Sequence, residues 1–419
     1  MGRVIMTHAE VKNEVDDLFR SEYGKIVSFL TSKFGVDFFD YAHDITQETM
    51  VAAFQDWAEK GVPDNPNGWL FTVARNKAIN FLKKEKRNVE LKAYHQDGGY
   101  EIGEEIYLNK EISDSMLKMI FACCSEFISI ESQIILILST LGGFTRKEIA
   151  AALVAEEEMV KKRLYRAKKK MRENVSSLEL PPFEKLEDRL HGVSNSLYLL
   201  FNEGYNSSST DDLIRKDICL EAIRLTQLLT EFYSDKHRIR ALLALMCFHV
   251  ARFESRIDNH GAIVLFKDQD RKLWNKELIH RGISELAMAS EGSDLSSYHL
   301  EAGIAMHHCM ASDYDSTDWR RIQTLYEELY AYKPSPIIKL NLAIVEGIVE
   351  GPKHAIAILE QLKEDNKRLS KYYLLYASLG EFYARLGQEN KARINFIKAK
   401  ELTSNSKEKE LLNKKMSSK

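Results

Sequence analysis

Residues 145–172 read TRKEIAAALVAEEEMVKKRLYRAKKKMR, and this stretch decides the fold. Thr145 is placed to cap a first helix, and Glu148, three residues on, completes a capping box. After a short turn a second helix repeats Val160, Leu164, Ala167 and Met171 at helical spacing, one apolar face for a core. Between Lys161 and Arg172 stand eight basic residues and no acidic one. A helix with one buried and one cationic face, set behind a capped helix and a turn, suits the major groove of duplex DNA. A solvated surface helix would account for the charge alone, but not for cap, turn and charge together.

The chain has 419 residues and a formal net charge of −3. That length allows two to four domains. Hydrophobic residues make up 44% and charged residues 29%, enough for packed cores and no signature of disorder. Residues 1–176 hold 25 Lys/Arg against 27 Asp/Glu, a balance of −2. Contact with nucleic acid therefore has to come from local patches rather than from an overall field. One patch is the helix above. The other runs from Arg75 to Arg87, with six basic residues and one acidic.

The five cysteines, Cys123, Cys124, Cys219, Cys247 and Cys309, lack zinc-ligand spacing. Their odd number argues against a secreted disulfide framework. Cys123 and Cys124 lie in an apolar helix and read as buried thiols. With no signal peptide and no long apolar run, a cytoplasmic protein without membrane contact is expected. His299, His307, His308 and Cys309 invite a metal, but adjacent His307 and His308 point apart on a helix. No carboxylate pair, nucleophile elbow or glycine-rich phosphate loop supports catalysis. No enzyme, metal or cofactor is expected.

The pattern predicts an all-α chain in five parts. Residues 1–87 are a first helical unit. Residues 88–113, with Gly98, Gly99 and Gly103, read as an acidic flexible linker. Residues 114–176 carry the helix-turn-helix. Residues 177–188, with Pro181 and Pro182, are a second linker. Residues 189–419 are helical again. There Tyr376, Leu379, Gly380, Tyr383, Gly387, Ala392, Phe396 and Ala399 follow the tetratricopeptide pattern. Ala343, Ala355, Leu359 and Leu362 form a weaker copy 37 residues earlier. Ile322, Tyr326, Leu329 and Pro334 end a third. Such units stack into an α-solenoid with a concave face, a docking surface for a partner. Asn202–Tyr205 reads as a helix end capped by Gly204.

Two helices matter in the first unit. In AHDITQETMVAAFQDW (42–57), Ile45, Thr49, Ala53 and Trp57 share one face. Asp44, Gln47, Glu48 and Val51 share another, open to a partner protein. In WLFTVARNKAINFLKKEKR (69–87), Leu70, Val73, Ala74, Ala78 and Phe81 face inward. Asn76, Asn80, Lys83 and Lys84 point away with Arg75 beside them. Amides can read base edges, and cations hold phosphates. Trp69 begins the apolar stripe and reads as core.

GVPDNPNGWLFTVARNKAINFLKKEKR (61–87) resembles region 2 of the extracytoplasmic-function sigma factors of bacterial RNA polymerase, and DITQET (44–49) resembles their polymerase-binding helix. GGFTRKEIAAAL (142–153) with VKKRLYRAKKKMR (160–172) resembles their region 4. SLYLLFNEGYNSSS (196–209), LIRKDICLEAIRLTQLL (213–229), DQDRKLW (268–274) and TDWRRIQTLYEELYAYKPSPIIKLNLAI (317–344) are similar to the subgroup with a C-terminal tetratricopeptide-like extension. The sequence departs from that subgroup at Cys123–Glu126, CCSE in place of Cys-Cys-His-Pro, and in the run Glu156–Glu158 at the start of the second helix.

The resemblance implies a sigma factor that binds core RNA polymerase and promoter DNA. Asp44, Gln47, Glu48 and Val51 would then face polymerase. Arg75, Asn76, Asn80, Lys83 and Lys84 would meet the −10 element. Lys161, Lys162, Arg163, Arg166, Lys168 and Lys169 would meet the −35 duplex. The solenoid would regulate, with a signalling protein as a further partner. The alternative is a helix-turn-helix regulator with a tetratricopeptide sensor or adaptor domain, which has no need of the two helices of the first unit.

Overall fold

The computed structural model describes residues 8–84, 102–153, 155–205, 215–258, 261–367 and 369–417. Among these residues the fold is all-α, with no strand and one isolated bridge, Ile257 to Ile263. The chain divides into two compact units, Met1–Leu199 and Leu200–Lys419.

The first unit holds α1 (His8–Phe34), α2 (Phe39–Lys60), α3 (Pro66–Lys84), α4 (Ile102–Cys123), α5 (Ile130–Thr140), α6 (Arg146–Ala152), α7 (Glu157–Asn174) and the first part of α8 (Phe183–Tyr205). Helix α1 packs against α2, α3, α4 and α5. The two segments read as separate domains, 1–87 and 114–176, thus share one packed body. Close approach makes this possible. A Cβ on Gly24 of α1 would stand 2.1 Å from the Leu141 carbonyl oxygen. Gly143, at φ +66°, turns the chain against the Tyr23 ring. Across the same seam Ser28 Oγ reaches Met116 Sδ at 3.3 Å, and Lys33 pairs with Glu111 at 2.5 Å.

Two boundaries differ from the sequence expectation. Helix α4 begins at Ile102, inside the stretch read as linker; the rest of that stretch, 88–101, lies outside the described residues. Helix α8 begins at Phe183, directly after Pro181 and Pro182, so part of the second linker is helical. Its first half belongs to the first unit. Arg189 Nη2 donates to the Phe121 carbonyl at 2.6 Å, and Ser196 Oγ donates to Gln133 Oε1 at 2.6 Å.

The second unit continues with α9 (Lys216–Phe232), α10 (His237–Val250), α11 (Lys276–Ala289), α12 (Ser297–Met310), α13 (Trp319–Tyr332), α14 (Pro336–Val349), α15 (Pro352–Asp365), α16 (Tyr373–Arg385), α17 (Glu389–Leu402) and α18 (Ser406–Ser417). Helix α10 is buried over Ala241–Phe248, as a helix that is apolar all round must be. It lies against α9, α11 and α12. From α12 onward each helix packs on the next. Leu340, Ala343, Ala355, Leu359, Leu375, Leu379 and Phe382 form one core cluster. Ala392, Phe396, Ala399 and Leu412 form another. These clusters hold most of the small and large positions of the repeat pattern.

Gly204 is not a left-handed cap. Its φ is not positive, and a Cβ there would stand 2.8 Å from Cys219 Sγ and 3.0 Å from the Arg215 carbonyl. The position needs glycine because α9 starts against it. The DQDRKLW stretch serves packing. Arg252 lies over Phe266 and Trp274, at 4.5 and 5.4 Å from the ring centroids. Arg271 donates to the carbonyls of His308 and Ala311 at 2.7 and 2.9 Å, covering the open C-terminus of α12. His308 is half-buried and meets the Phe266 and Trp319 rings edge to face.

Candidate nucleic-acid and polymerase interface

The capping box forms as its residues require. Thr145 N and Oγ1 each donate to Glu148 Oε2 at 2.8 Å, and Glu148 N donates to Thr145 Oγ1 at 3.2 Å. The turn after α6 leads into α7, whose buried residues are Val160, Leu164, Ala167 and Met171. That stripe fixes the rotation of the helix and so decides which cations reach solvent.

Lys161, Lys162, Arg166 and Lys169 are exposed, and Arg163 is half-buried. Glu158 pairs with Lys161 at 2.9 Å, and Glu173 with Lys169 at 3.6 Å. The glutamates thus sit at the two ends of the helix and leave Lys162 and Arg166 near its middle without an ion pair among the described residues. Tyr165, 65% exposed, stands among these cations. The sequence reading passed over it, although an aromatic ring inside a basic run is itself a signal for nucleic-acid contact.

Lys168 does not join that face. It turns into the first unit, 17% exposed, and its ammonium sits 3.2 Å from Asp40 Oδ1 and 5.0 Å from the centroid of the buried Phe39 ring. Arg172 pairs with the other oxygen of the same carboxylate. Burial pulls the Lys168 pKa below its usual value, against the attraction of Asp40. Beneath lies the buried His43, held neutral by desolvation and by the Lys168 charge. Its Nδ1 shares a 2.8 Å hydrogen bond with the Tyr23 hydroxyl.

On α2, Ile45, Thr49, Ala53 and Trp57 are buried. Asp44, Gln47, Glu48 and Val51 are exposed, Val51 at 57%. Glu48 meets Lys77 of α3 at 3.4 Å. Asp40 stands one turn before Asp44 on this stripe, so the exposed face of α2 continues into the carboxylate that holds α7.

On α3, Leu70, Phe71, Ala74, Ala78 and Leu82 are buried, while Val73 and Phe81 are half-buried. Asn76, Asn80, Lys83 and Lys84 are exposed. Arg75 is half-buried, with Nε enclosed and without a hydrogen-bond partner among the described residues. Trp69 meets Trp57 edge to face, ring centroids 5.4 Å apart, and so supports the core. Cys123 and Cys124 are buried. Burial raises both thiols, Cys124 to about 12, so neither offers a thiolate. No helix among the described residues is long and apolar enough to cross a membrane.

Residues 18–88 match sigma-70 region 2, and residues 128–171 match sigma-70 region 4. The chain is 31% identical over 374 residues to the uncharacterized protein R00370 of Rhizobium meliloti (strain 1021), covering 88% of each. It belongs to the family of R00370 and carries the two helical regions of a sigma factor. Within this sigma-factor chain, residues 189–290 match a family of unknown function. RNA polymerase sigma factor YlaC of Bacillus subtilis (strain 168) is 23% identical over 171 residues, 39% of this chain and 94% of YlaC. No solved structure matches the chain. The region 2 match thus spans the C-terminal part of α1 with α2 and α3, and the region 4 match spans α5, α6 and most of α7.

Proposed function

We propose that this protein is an alternative sigma factor of the extracytoplasmic-function type, acting in the cytoplasm. It binds core RNA polymerase through the exposed stripe of α2, Asp44, Gln47, Glu48 and Val51. It meets the −10 element through Arg75, Asn76, Asn80, Lys83 and Lys84 of α3. It meets the −35 duplex through Lys161, Lys162, Arg163, Arg166 and Lys169 of α7, with Tyr165 among them. Lys168 joins this set only when it leaves Asp40. The polymerase carries out the chemistry, and the sigma factor contributes binding alone. The helical extension acts as a tetratricopeptide-like regulatory solenoid that offers a docking surface to a signalling protein.

The observation that carries this reading is the coexistence, in one compact unit, of a region 2 match and a region 4 match whose exposed faces are polar and cationic. A plain helix-turn-helix regulator would have no use for region 2. Amides at Asn76 and Asn80 suit base edges, and the cations around them suit phosphates.

The test is co-purification with core polymerase. Asp44→Ala combined with Gln47→Ala is expected to weaken the complex while leaving helicity intact. Contacts in an interface centre commonly contribute about 1–2 kcal/mol or more each. Undiminished co-purification of the double variant would place the polymerase contact elsewhere.

A further inference from the structure

The C-terminal half of α7 is held by the same stripe of α2 that the proposed polymerase contact uses. Asp40, Asp44, Gln47, Glu48 and Val51 recur at intervals of four, three, one and three residues, one face of a helix. The first of them grips Lys168 and Arg172 with its two oxygens. Phe39 lies under the Lys168 ammonium. Two of the eight basic residues of Lys161–Arg172 are therefore spent inside the protein. Phosphate contact by those two cations and ion pairing to Asp40 exclude each other, because one ammonium and one guanidinium cannot serve both anions at full strength.

We propose that Asp40 is an intramolecular latch. It keeps region 4 folded against region 2 in the free protein and withholds Lys168 and Arg172 from duplex DNA. A partner that takes the α2 stripe displaces them. Binding at α2 and DNA binding at α7 are then positively coupled, and the coupling is reciprocal. The latch rests on the reading of α7 as the duplex-contacting helix. It does not need the partner of α2 to be polymerase.

The test uses the full chain and a labelled duplex of arbitrary sequence, without polymerase. Fluorescence anisotropy gives the dissociation constant across a salt series. Each phosphate contact adds roughly 0.9 to the slope of log K against log salt. Asp40→Asn is expected to steepen the slope by up to about two units as both cations are released. Removing a carboxylate near DNA raises affinity by itself, so the deciding comparison is a cycle with Lys168→Ala. In the wild-type background Lys168→Ala is expected to leave the slope almost unchanged. In the Asp40→Asn background it should lower the slope by about one unit. Circular dichroism checks each fold, and Asp40→Ser replaces Asp40→Asn if that variant does not fold. Equal effects of Lys168→Ala in both backgrounds, or an unchanged slope in the Asp40 variant, would overturn the latch. Because no polymerase is present, this outcome is independent of whether the chain directs transcription.

Discussion

Gly380 of α16 lies so close to Phe396 of α17 that a Cβ would stand 2.6 Å from two ring carbons. Phe396 is 4% exposed and sits in the core cluster with Ala392 and Ala399, so the ring has no free space to retreat into. Gly380→Ala is therefore expected to destabilise the second unit by about 1–3 kcal/mol, the usual range for overpacking. Gly192 in α8 is the contrast: nothing lies within 4 Å of its Cβ position. Gly192→Ala should be neutral or stabilise by up to about 1 kcal/mol, since alanine is the better helix former. Urea unfolding of the two variants checks both signs; destabilisation by Gly192→Ala or tolerance of Gly380→Ala would contradict the packing described.

The exposed cations of α7 should separate by type. Lys169→Ala is expected to weaken duplex binding evenly across sequences and lower the salt slope by about one unit. Lys162→Ala, Arg166→Ala and Tyr165→Ala should instead change sequence preference, at about 1–3 kcal/mol per lost base contact. Binding to a library of −35 duplexes distinguishes the two. A uniform loss from all four substitutions would show that this face holds DNA without reading it.

Acid should loosen the second unit before its carboxylates titrate. His249 and His308 are half-buried with Nδ1 of each enclosed, and desolvation with the neighbouring arginine charges lowers both from 6.5 to about 3. Below pH 6.5 the unfolded chain takes up protons that these two side chains refuse in the folded state. Stability therefore falls as pH drops from about 6.5 towards 3, by at most about 1.4 kcal/mol per pH unit for each histidine. Urea midpoints at pH 7.5 and 5.5 should differ in the wild type. The difference should shrink in His308→Phe, whose ring would still face Phe266 and Trp319. An identical pH response in both proteins would remove His308 as a source.

The local pattern of α6 and α7 was legible because capping box and apolar stripe are short-range chemistry. Thr145, Glu148, Val160, Leu164, Ala167 and Met171 stand as their spacing requires. The destination of Lys168 was not legible. It borders the stripe beside Ala167, and only the docking of region 4 on α2, 128 residues away in sequence, decides that it faces Asp40 rather than water. Gly204 misled for a related reason. A glycine near a helix end suggests a left-handed cap, whereas the need here is room for Cys219 and Arg215 of the following segment. The start of α4 was hidden by its glycine and carboxylates, which resemble a linker in composition. The roles of Arg252 and Arg271 arise from aromatic rings and carbonyls that only the fold brings to them.

The place where the extension begins matters for any truncation. A cut after Pro182 removes Arg189 and Ser196, whose hydrogen bonds to Phe121 and Gln133 belong to the first unit. Each such bond contributes roughly 0.5–1.5 kcal/mol, and more when a buried partner is left unsatisfied. A fragment ending at Leu199 is expected to be the more stable in urea. In promoter-dependent transcription that fragment should differ severalfold from the full chain. Equal activity of the two would leave the extension without a regulatory role.

Run-off transcription tests the sigma-factor reading most directly. Purified full chain is added to core polymerase that lacks any other sigma factor, on a library of promoter fragments, and the transcripts are sequenced. A discrete set of start sites is expected, sharing one −10 and one −35 motif, present only with the added chain and lost with Asp44→Ala and Gln47→Ala together. Transcription no different from core polymerase alone, on a library where another sigma factor yields defined starts, would contradict it.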